Sequence, residues 1–351
     1  MIATDFQAEP VPIAGAPGSP YTRKMLAVLR YRRIPYRFLT LDQLTGEGLP
    51  MPRVPLLPMV WFADANGQPM VMTDSSPLIR HFEERVVGRA VVPADPALAL
   101  IDQLFEDYAD EWLTKPMFHF RWTHPDDIER STAVLPHWRG LSRPDEEIDQ
   151  AGRLFAERQI ARLHYVGSNA DTAAVIEQAY GRFVDALNAH LREHPYLMGH
   201  RPGASDFAIY GQLTQLAQFD PTPMAITLQR APRVFAWVSL VEDLSGLEPG
   251  ERDWIDINEP PATWRDLLHE IGRTYVPLML ANAKALAEGA TQVNAIVDGH
   301  RWIQQPFPYQ AKCLRWLEQA YAALDEPSRT RVNRALAGSG CEALFADTGQ
   351  M

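Results

Sequence analysis

The segment Gly18-Ser19-Pro20-Tyr21-Thr22-Arg23-Lys24 puts a hydroxyl where a short apolar run, Pro10 to Gly15, gives way to helical spacing. A serine at such a junction faces the first backbone N–H groups of the helix, and the helix dipole there favours an anion. A thiol brought to this spot would lose its proton more easily. Lowering a thiol pKa from ~8.5 to ~6.5 needs about 2.7 kcal/mol of thiolate stabilisation. One hydroxyl hydrogen bond to a charged group gives about 1.5–3 kcal/mol, and the helix end adds a fraction to about 2. No metal is needed to reach that sum. The plain alternative is that Ser19 only caps the helix, with Pro20 in a first-turn position that tolerates it.

A second segment, Thr73-Asp74-Ser75-Ser76-Pro77, sets an acid beside a serine at another helix start. Asp74 would face an ammonium, while Ser75 and the free N–H groups would face a carboxylate. A capping arrangement without a ligand would read the same way. A third segment holds Pro55 and Pro58 just before Met59-Val60-Trp61-Phe62. Proline inside a strand forfeits a ladder hydrogen bond, so the strand is expected to begin at Met59. Leu57-Pro58 is then the expected cis peptide, its backbone turned to a ligand, with Pro55 as the alternative.

The elements that must position these residues read as follows. Pro10–Gly15 is a strand, Pro20 onward a helix with Met25, Leu26, Val28 and Leu29 on one face, and Tyr36–Leu41 a second strand. Met59–Phe62 and Met70–Met72 form a hairpin across Asp64-Ala65-Asn66-Gly67, and a helix runs from Leu78 to about Arg85. Residues 1–90 are therefore an α/β domain. Residues 95–247 carry helical spacing in five stretches and few strand signals, giving an all-helical domain. Residues 123–145 are polar and proline-marked and read as an exposed excursion. Residues 251–351 form an extension: a helix over Trp264–Ala287, a hairpin turning at Asp298-Gly299, and two further helices.

Composition bounds the rest. With 351 residues the chain has room for about two domains of ~150 residues and an extension. The formal net charge of -11 and the lack of a basic stripe argue against a nucleic-acid partner. No apolar stretch nears the ~20 residues needed to cross a bilayer. The first fifteen residues lack a basic start and an apolar core, so no signal peptide is expected. Two cysteines, Cys313 and Cys341, exclude a disulfide scaffold and fit a reduced cytoplasmic setting.

Together the three segments resemble the glutathione-binding half of the cytosolic glutathione transferases, in a serine-type, bacterial form with a C-terminal extension. That family's thioredoxin-like domain starts its first helix with Ser, Cys or Tyr, then Pro and an aromatic, which Ser19-Pro20-Tyr21 matches. Tyr196-Leu197-Met198-Gly199-His200-Arg201-Pro202-Gly203-Ala204-Ser205-Asp206 resembles the family's capping segment in the helical domain, with Gly203 where the cap is Ser or Thr. The resemblance covers about residues 10–245. It implies a thioredoxin-like domain, a helical domain, and glutathione as co-substrate with no metal.

The same resemblance casts Ser19 as the thiolate-stabilising residue with Tyr21 as back-up hydroxyl. It casts Leu57, Pro58, Asp74 and Ser75 as the glutathione-binding set. Tyr108 and Trp112, on a helix facing the cleft, would line a pocket for a small hydrophobic electrophile, core packing being the other reading. A homodimer and a detoxifying role are further implications. The alternatives are a non-catalytic binding or regulatory protein on the same fold, and a glutathione-dependent isomerase or ether-cleaving enzyme. His190-Leu191-Arg192-Glu193-His194 fits a zinc pattern by letters, but it lies at a helix end with no third ligand nearby. His119 and His124 are set off from regular helical spacing and imply no metal either. Cys313 reads as a buried small apolar residue.

Overall fold

The computed structural model describes residues 10–64 and 66–346. The N-terminal unit runs β1 (Val11–Ala14), α1 (Pro20–Tyr31), β2 (Tyr36–Leu39), a short α2 (Leu41–Leu44), β3 (Met59–Ala63), β4 (Pro69–Thr73) and α3 (Ser75–Arg85). Its sheet has the order β2-β1-β3-β4. β1 and β2 are parallel, with Val11 opposite Tyr36, and β3 and β4 are antiparallel, with Met59 opposite Thr73. This is the thioredoxin-like arrangement. The Leu57-Pro58 bond is cis, and β3 begins at the next residue, so neither proline enters the ladder.

A helical unit follows: α4 (Pro96–Glu111), α5 (Thr114–Thr123), α6 (Pro125–Val134), α7 (Asp145–Ile160), α8 (Ala173–His190), α9 (Ala204–Leu216), α10 (Pro221–Arg230) and α11 (Pro232–Val241). Residues 123–145 are not the expected exposed excursion. Pro125 opens α6, and Leu135–Trp138 form a 3-10 turn in which Pro136 stands in the first positions. Proline is tolerated there because those N–H groups have no helical partner. The segment is also tied inward. Asp127 is fully buried and accepts the Thr222 N–H at 3.1 Å, and Ser131 lies within reach of Asp220.

Helix α9 passes through the centre of the molecule, and every residue of it is buried. A Cβ on Gly211 would stand 2.5 Å from the Pro20 carbonyl oxygen, so glycine is what lets α9 approach the start of α1. The N-terminus of α9 is capped from two directions. Asp206 accepts the Leu197 N–H at 2.6 Å and the Gly203 N–H at 2.9 Å. Asp102, reaching over from α4, accepts the Ser205 N–H at 3.0 Å. A Cβ at Gly203 would fall 2.3 Å from Asp102 Oδ1, so the usual serine or threonine has no room. The second acid does its work instead.

The extension comprises α12 (Trp264–Ala287), β5 (Val293–Val297), β6 (His300–Gln304), α13 (Pro308–Ala322) and α14 (Glu326–Leu336). The turn between β5 and β6 has positive φ at Asp298 (51°) and Gly299 (76°), the two-residue hairpin geometry that matches strand twist. The extension shares the helical unit's core. Trp264 donates its indole N–H to the Leu197 carbonyl at 3.0 Å, and Trp302 packs on Trp112 at 5.5 Å between ring centroids. Asn282 brackets Phe307, donating to its carbonyl at 3.0 Å and accepting its N–H at 2.7 Å. That clamp sets where α13 starts. Among the described residues no helix is long and apolar enough to cross a membrane.

Candidate active site

The cavity between the two units and the extension holds about 900 Å³. Ser19, Leu57, Asp74 and Ser75 all open onto it, although they come from three separate connections. Pro58 is buried and is not among the residues that line it.

Ser19 stands at the N-cap of α1, where its Oγ accepts the Thr22 N–H at 3.3 Å. Among the described residues its hydroxyl donates to nothing, so the proton remains available to a ligand. The loop before it is held by its carbonyls. Arg23 and Gln215 both donate to Pro17 O, at 3.1 and 3.0 Å, and Arg121 donates to Gly18 O at 3.2 Å. Arg121 is itself fixed by a buried ion pair with Asp220. A side chain at Gly18 would collide with Leu135, 2.7 Å from its Cβ, so the 3-10 turn closes over this loop. Tyr21 also lines the cavity, but its hydroxyl donates to the Asp110 carbonyl at 2.9 Å. Burial, with Glu111 and Asp110 adding, pushes that phenol well above its usual range. Its proton is already engaged, whereas that of Ser19 is not.

Asp74 sits at the N-cap of α3 with φ 80° and ψ 118° and makes no side-chain cap bond. A non-glycine residue in that region costs about 1–3 kcal/mol and persists only where its surroundings impose it. Here the effect is to turn the carboxylate into the cavity. There it already has a partner from the extension: the Tyr309 hydroxyl donates to Asp74 Oδ2.

Beneath α3 lies an ion network that no sequence signal isolates. Lys24 is fully buried and reaches Glu106 at 2.8 Å and Asp110 at 2.6 Å, while Arg80 holds the other Glu106 oxygen at 2.9 Å. Burial alone would lower the Lys24 pKa, but the two carboxylates outweigh it and hold the amine well above its usual range. Burial likewise opposes ionisation of Glu106, yet Lys24 and Arg80 bring it down to about 2. The neighbouring acids lack such a match. Burial raises Asp107 to about 7 and Glu111 to about 8, with nearby carboxylates adding to both. Lys115 is lowered to about 8 by burial. The far end of the cavity is thus a set of ionisable groups poised near neutrality.

Tyr108 and Trp112 do not line this cavity, contrary to the sequence expectation. Both are 1% exposed. Tyr108 packs between Phe183 and Tyr275, and Trp112 against Trp302. Their side of α4 faces the core, where Phe183 of α8 and Tyr275 and Trp302 of the extension cover it. The cleft-facing side carries the acids Glu106, Asp107, Asp110 and Glu111 instead. Sequence reasoning also missed Tyr309, Cys313 and Trp316, which reach the cavity from α13. Cys313 is buried, and burial followed by Asp107 and Glu111 drives its thiol far above the range of a nucleophile. His190 uses both ring nitrogens on Thr263 and the Tyr196 carbonyl, at 2.8 and 3.0 Å, so the HxxEH letters mark no ligand set.

The sequence matches two family descriptions: "Glutathione S-transferase, N-terminal domain" over residues 14–90 and "Glutathione S-transferase, C-terminal domain" over residues 155–239. No curated protein sequence matches. Among solved structures, one similar chain is a glutathione transferase family member from Pseudomonas fluorescens pf-5 with two glutathione bound. It is 14% identical, with 68% of this chain and 95% of that chain covered and a TM-score of 0.39. A glutathione transferase from Burkholderia graminis, with two glutathione molecules per subunit, is 15% identical over 68% and 85% of the two chains, with a TM-score of 0.41. The beta-etherase LigF from Sphingobium sp. strain SYK-6 is 16% identical over 66% and 95%, with a TM-score of 0.45. The two glutathione S-transferase domain descriptions thus match in chain order, the first over the thioredoxin-like unit and the second over the helical unit.

Proposed function

We propose that the protein binds glutathione in this cavity and uses Ser19 to hold its sulfur as a thiolate for attack on a small electrophile. The observation that carries this reading is convergence. A hydroxyl with a free proton at a helix start, a cis-proline backbone and an acid-serine pair at a second helix start, remote in sequence, open onto one cavity. Asp74 would take the γ-glutamyl ammonium, and the first N–H groups of α3 its carboxylate. The hydroxyl bond and the end of α1 supply the thiolate stabilisation, and proximity supplies the rest of the rate.

The lining supports a co-substrate that is not purely hydrophobic. Leu56, Phe307 and Trp316 give the lining apolar surface, but Asp107, Glu111 and Lys115 line the same cavity. A purely hydrophobic molecule would strip these groups of water and return no hydrogen bond. The electrophile that fits has an apolar body and a polar or cationic end.

A second reading, a fold retained for binding without turnover, is favoured by one observation: Tyr309 already occupies Asp74. Calorimetry with glutathione and turnover with generic electrophiles separate the two. Ser19→Ala should keep glutathione affinity and lose roughly tenfold to a hundredfold in kcat, the kinetic equivalent of about 1.5–3 kcal/mol. Unchanged turnover would remove Ser19 from the chemistry. Absence of glutathione binding would favour the second reading.

A further inference from the structure

Away from the cleft, three side chains from separate elements converge without a role in the chemistry above. His119 lies in the middle of α5, His124 is the junction residue between α5 and α6, and Glu177 stands in the first turns of α8. His119 Nε2 and His124 Nε2 are each 3.2 Å from the same oxygen, Glu177 Oε1, and the three ligand atoms lie within 4.8 Å of one another. We propose that His119, His124 and Glu177 form a binding site for one divalent transition-metal ion, zinc by the chemistry of the donors, that pins α8 to the α5–α6 junction.

The spacing admits an ion between these atoms. Two ligands bound at about 2.0–2.1 Å around a tetrahedral zinc stand about 3.3 Å apart. Without an ion, two hydrogen bonds at the long end of the N–H···O range hold the three side chains at this same spacing. Both histidine rings are held in place from behind. His119 Nδ1 is 2.8 Å from the buried Ser168 Oγ, a pairing that fixes ring orientation and leaves Nε2 to serve as the ligand atom. The His124 ring stacks on the buried Phe120, with centroids 5.4 Å apart and planes at 27°. The side chains of His124 and Glu177 are 32% and 40% exposed, so an ion has an entry path and a fourth position open to water. Two imidazoles and one carboxylate suit zinc or cobalt and exclude the all-oxygen shell of magnesium or calcium. Sequence reading weighed His119 and His124 and inferred no metal there; the third donor, Glu177, is 53 residues from His124, so no short spacing announces it.

The site is independent of the glutathione reading. Its residues lie outside the cavity, and the closest functional neighbours are Lys115 and Arg121 on the same helix, one facing the cavity and the other holding the loop before Ser19. An ion here would brace α5 from behind.

The test uses the tag-free full chain, stripped with chelator and titrated with zinc by calorimetry and with cobalt by visible absorption. The expected result is one ion per chain, a tetrahedral cobalt band, and a zinc-dependent rise in melting temperature. His124→Asn and Glu177→Gln, at part-exposed positions that should leave the fold intact by circular dichroism, should each weaken zinc binding tenfold or more. Ser168→Ala should weaken it by about tenfold, as loss of a partner behind a ligand does. Glutathione affinity of the zinc-free variants should be unchanged. No uptake at micromolar zinc would overturn the proposal. So would uptake that survives His124→Asn and Glu177→Gln together, because the ions would then sit on another histidine face such as that of His194 and His200.

Discussion

Replacing Tyr309 by phenylalanine removes one oxygen from the wall of the cleft and leaves the ring that packs beside Trp316. That oxygen carries the hydrogen bond to Asp74, the carboxylate proposed to receive the ammonium of glutathione. A hydrogen bond to a charged acceptor contributes about 1.5–3 kcal/mol net. Where the ammonium must displace the hydroxyl, the wild-type protein loses that contribution on binding, less the bond water then offers to the freed tyrosine. Taking the lower end, about 1.5 kcal/mol corresponds to slightly more than tenfold in Kd. Tyr309→Phe should therefore bind glutathione about tenfold more tightly in calorimetry, while Asp74→Ala binds it more weakly. The same variant should melt slightly earlier, because α13 loses a tie to the N-terminal unit. Unchanged or weaker glutathione binding by Tyr309→Phe would refute the reasoning. It would mean that Asp74 serves hydroxyl and ammonium together, or that Tyr309 itself touches the ligand.

Three further outcomes follow from the same geometry. Lys24→Met leaves Glu106 and Asp110 buried without their shared cation, and should cost about 3–5 kcal/mol in urea unfolding. Gly211→Ala forces a methyl to within 2.5 Å of the Pro20 carbonyl, and the overpacking between α9 and α1 should cost about 1–3 kcal/mol by the same assay. Burial, with Asp107 and Asp110 adding, raises Glu111 to about 8, against about 4.3 in an unfolded chain. The folded protein thus keeps a proton that the unfolded chain has released, and this group lowers stability progressively as pH rises through that window. Glu111→Gln should remove that slope, so its stability relative to wild type improves from about pH 4.3 to about pH 8. A constant difference across the range would refute the assignment.

Much of the architecture was legible because local signals and tertiary packing agree. Ser19 with Pro20, Asp298 with Gly299, and the proline pair before Met59 each state a backbone geometry that the structure adopts. Residues 123–145 misled because proline was read as a breaker, whereas Pro125 and Pro136 stand in first turns where proline is tolerated. The wall of the cleft was harder to see for a different reason. Tyr108, Trp112 and the acids share one helix, and hydrophobic pattern alone does not say which side meets the cleft once an extension covers the opposite side. Tyr309 is 235 positions from Asp74, on a helix of the extension whose start is held by the clamp of Asn282 on Phe307.

The paired acids at the start of α9 have a consequence for how such a chain can change. Restoring serine at position 203 alone would drive its Cβ into Asp102, and shortening Asp102 alone would strip the Ser205 amide of its acceptor. Either single step goes downhill before a second can repair it. The two positions are therefore interlocked, and a lineage that has entered this arrangement leaves it only by changing both together.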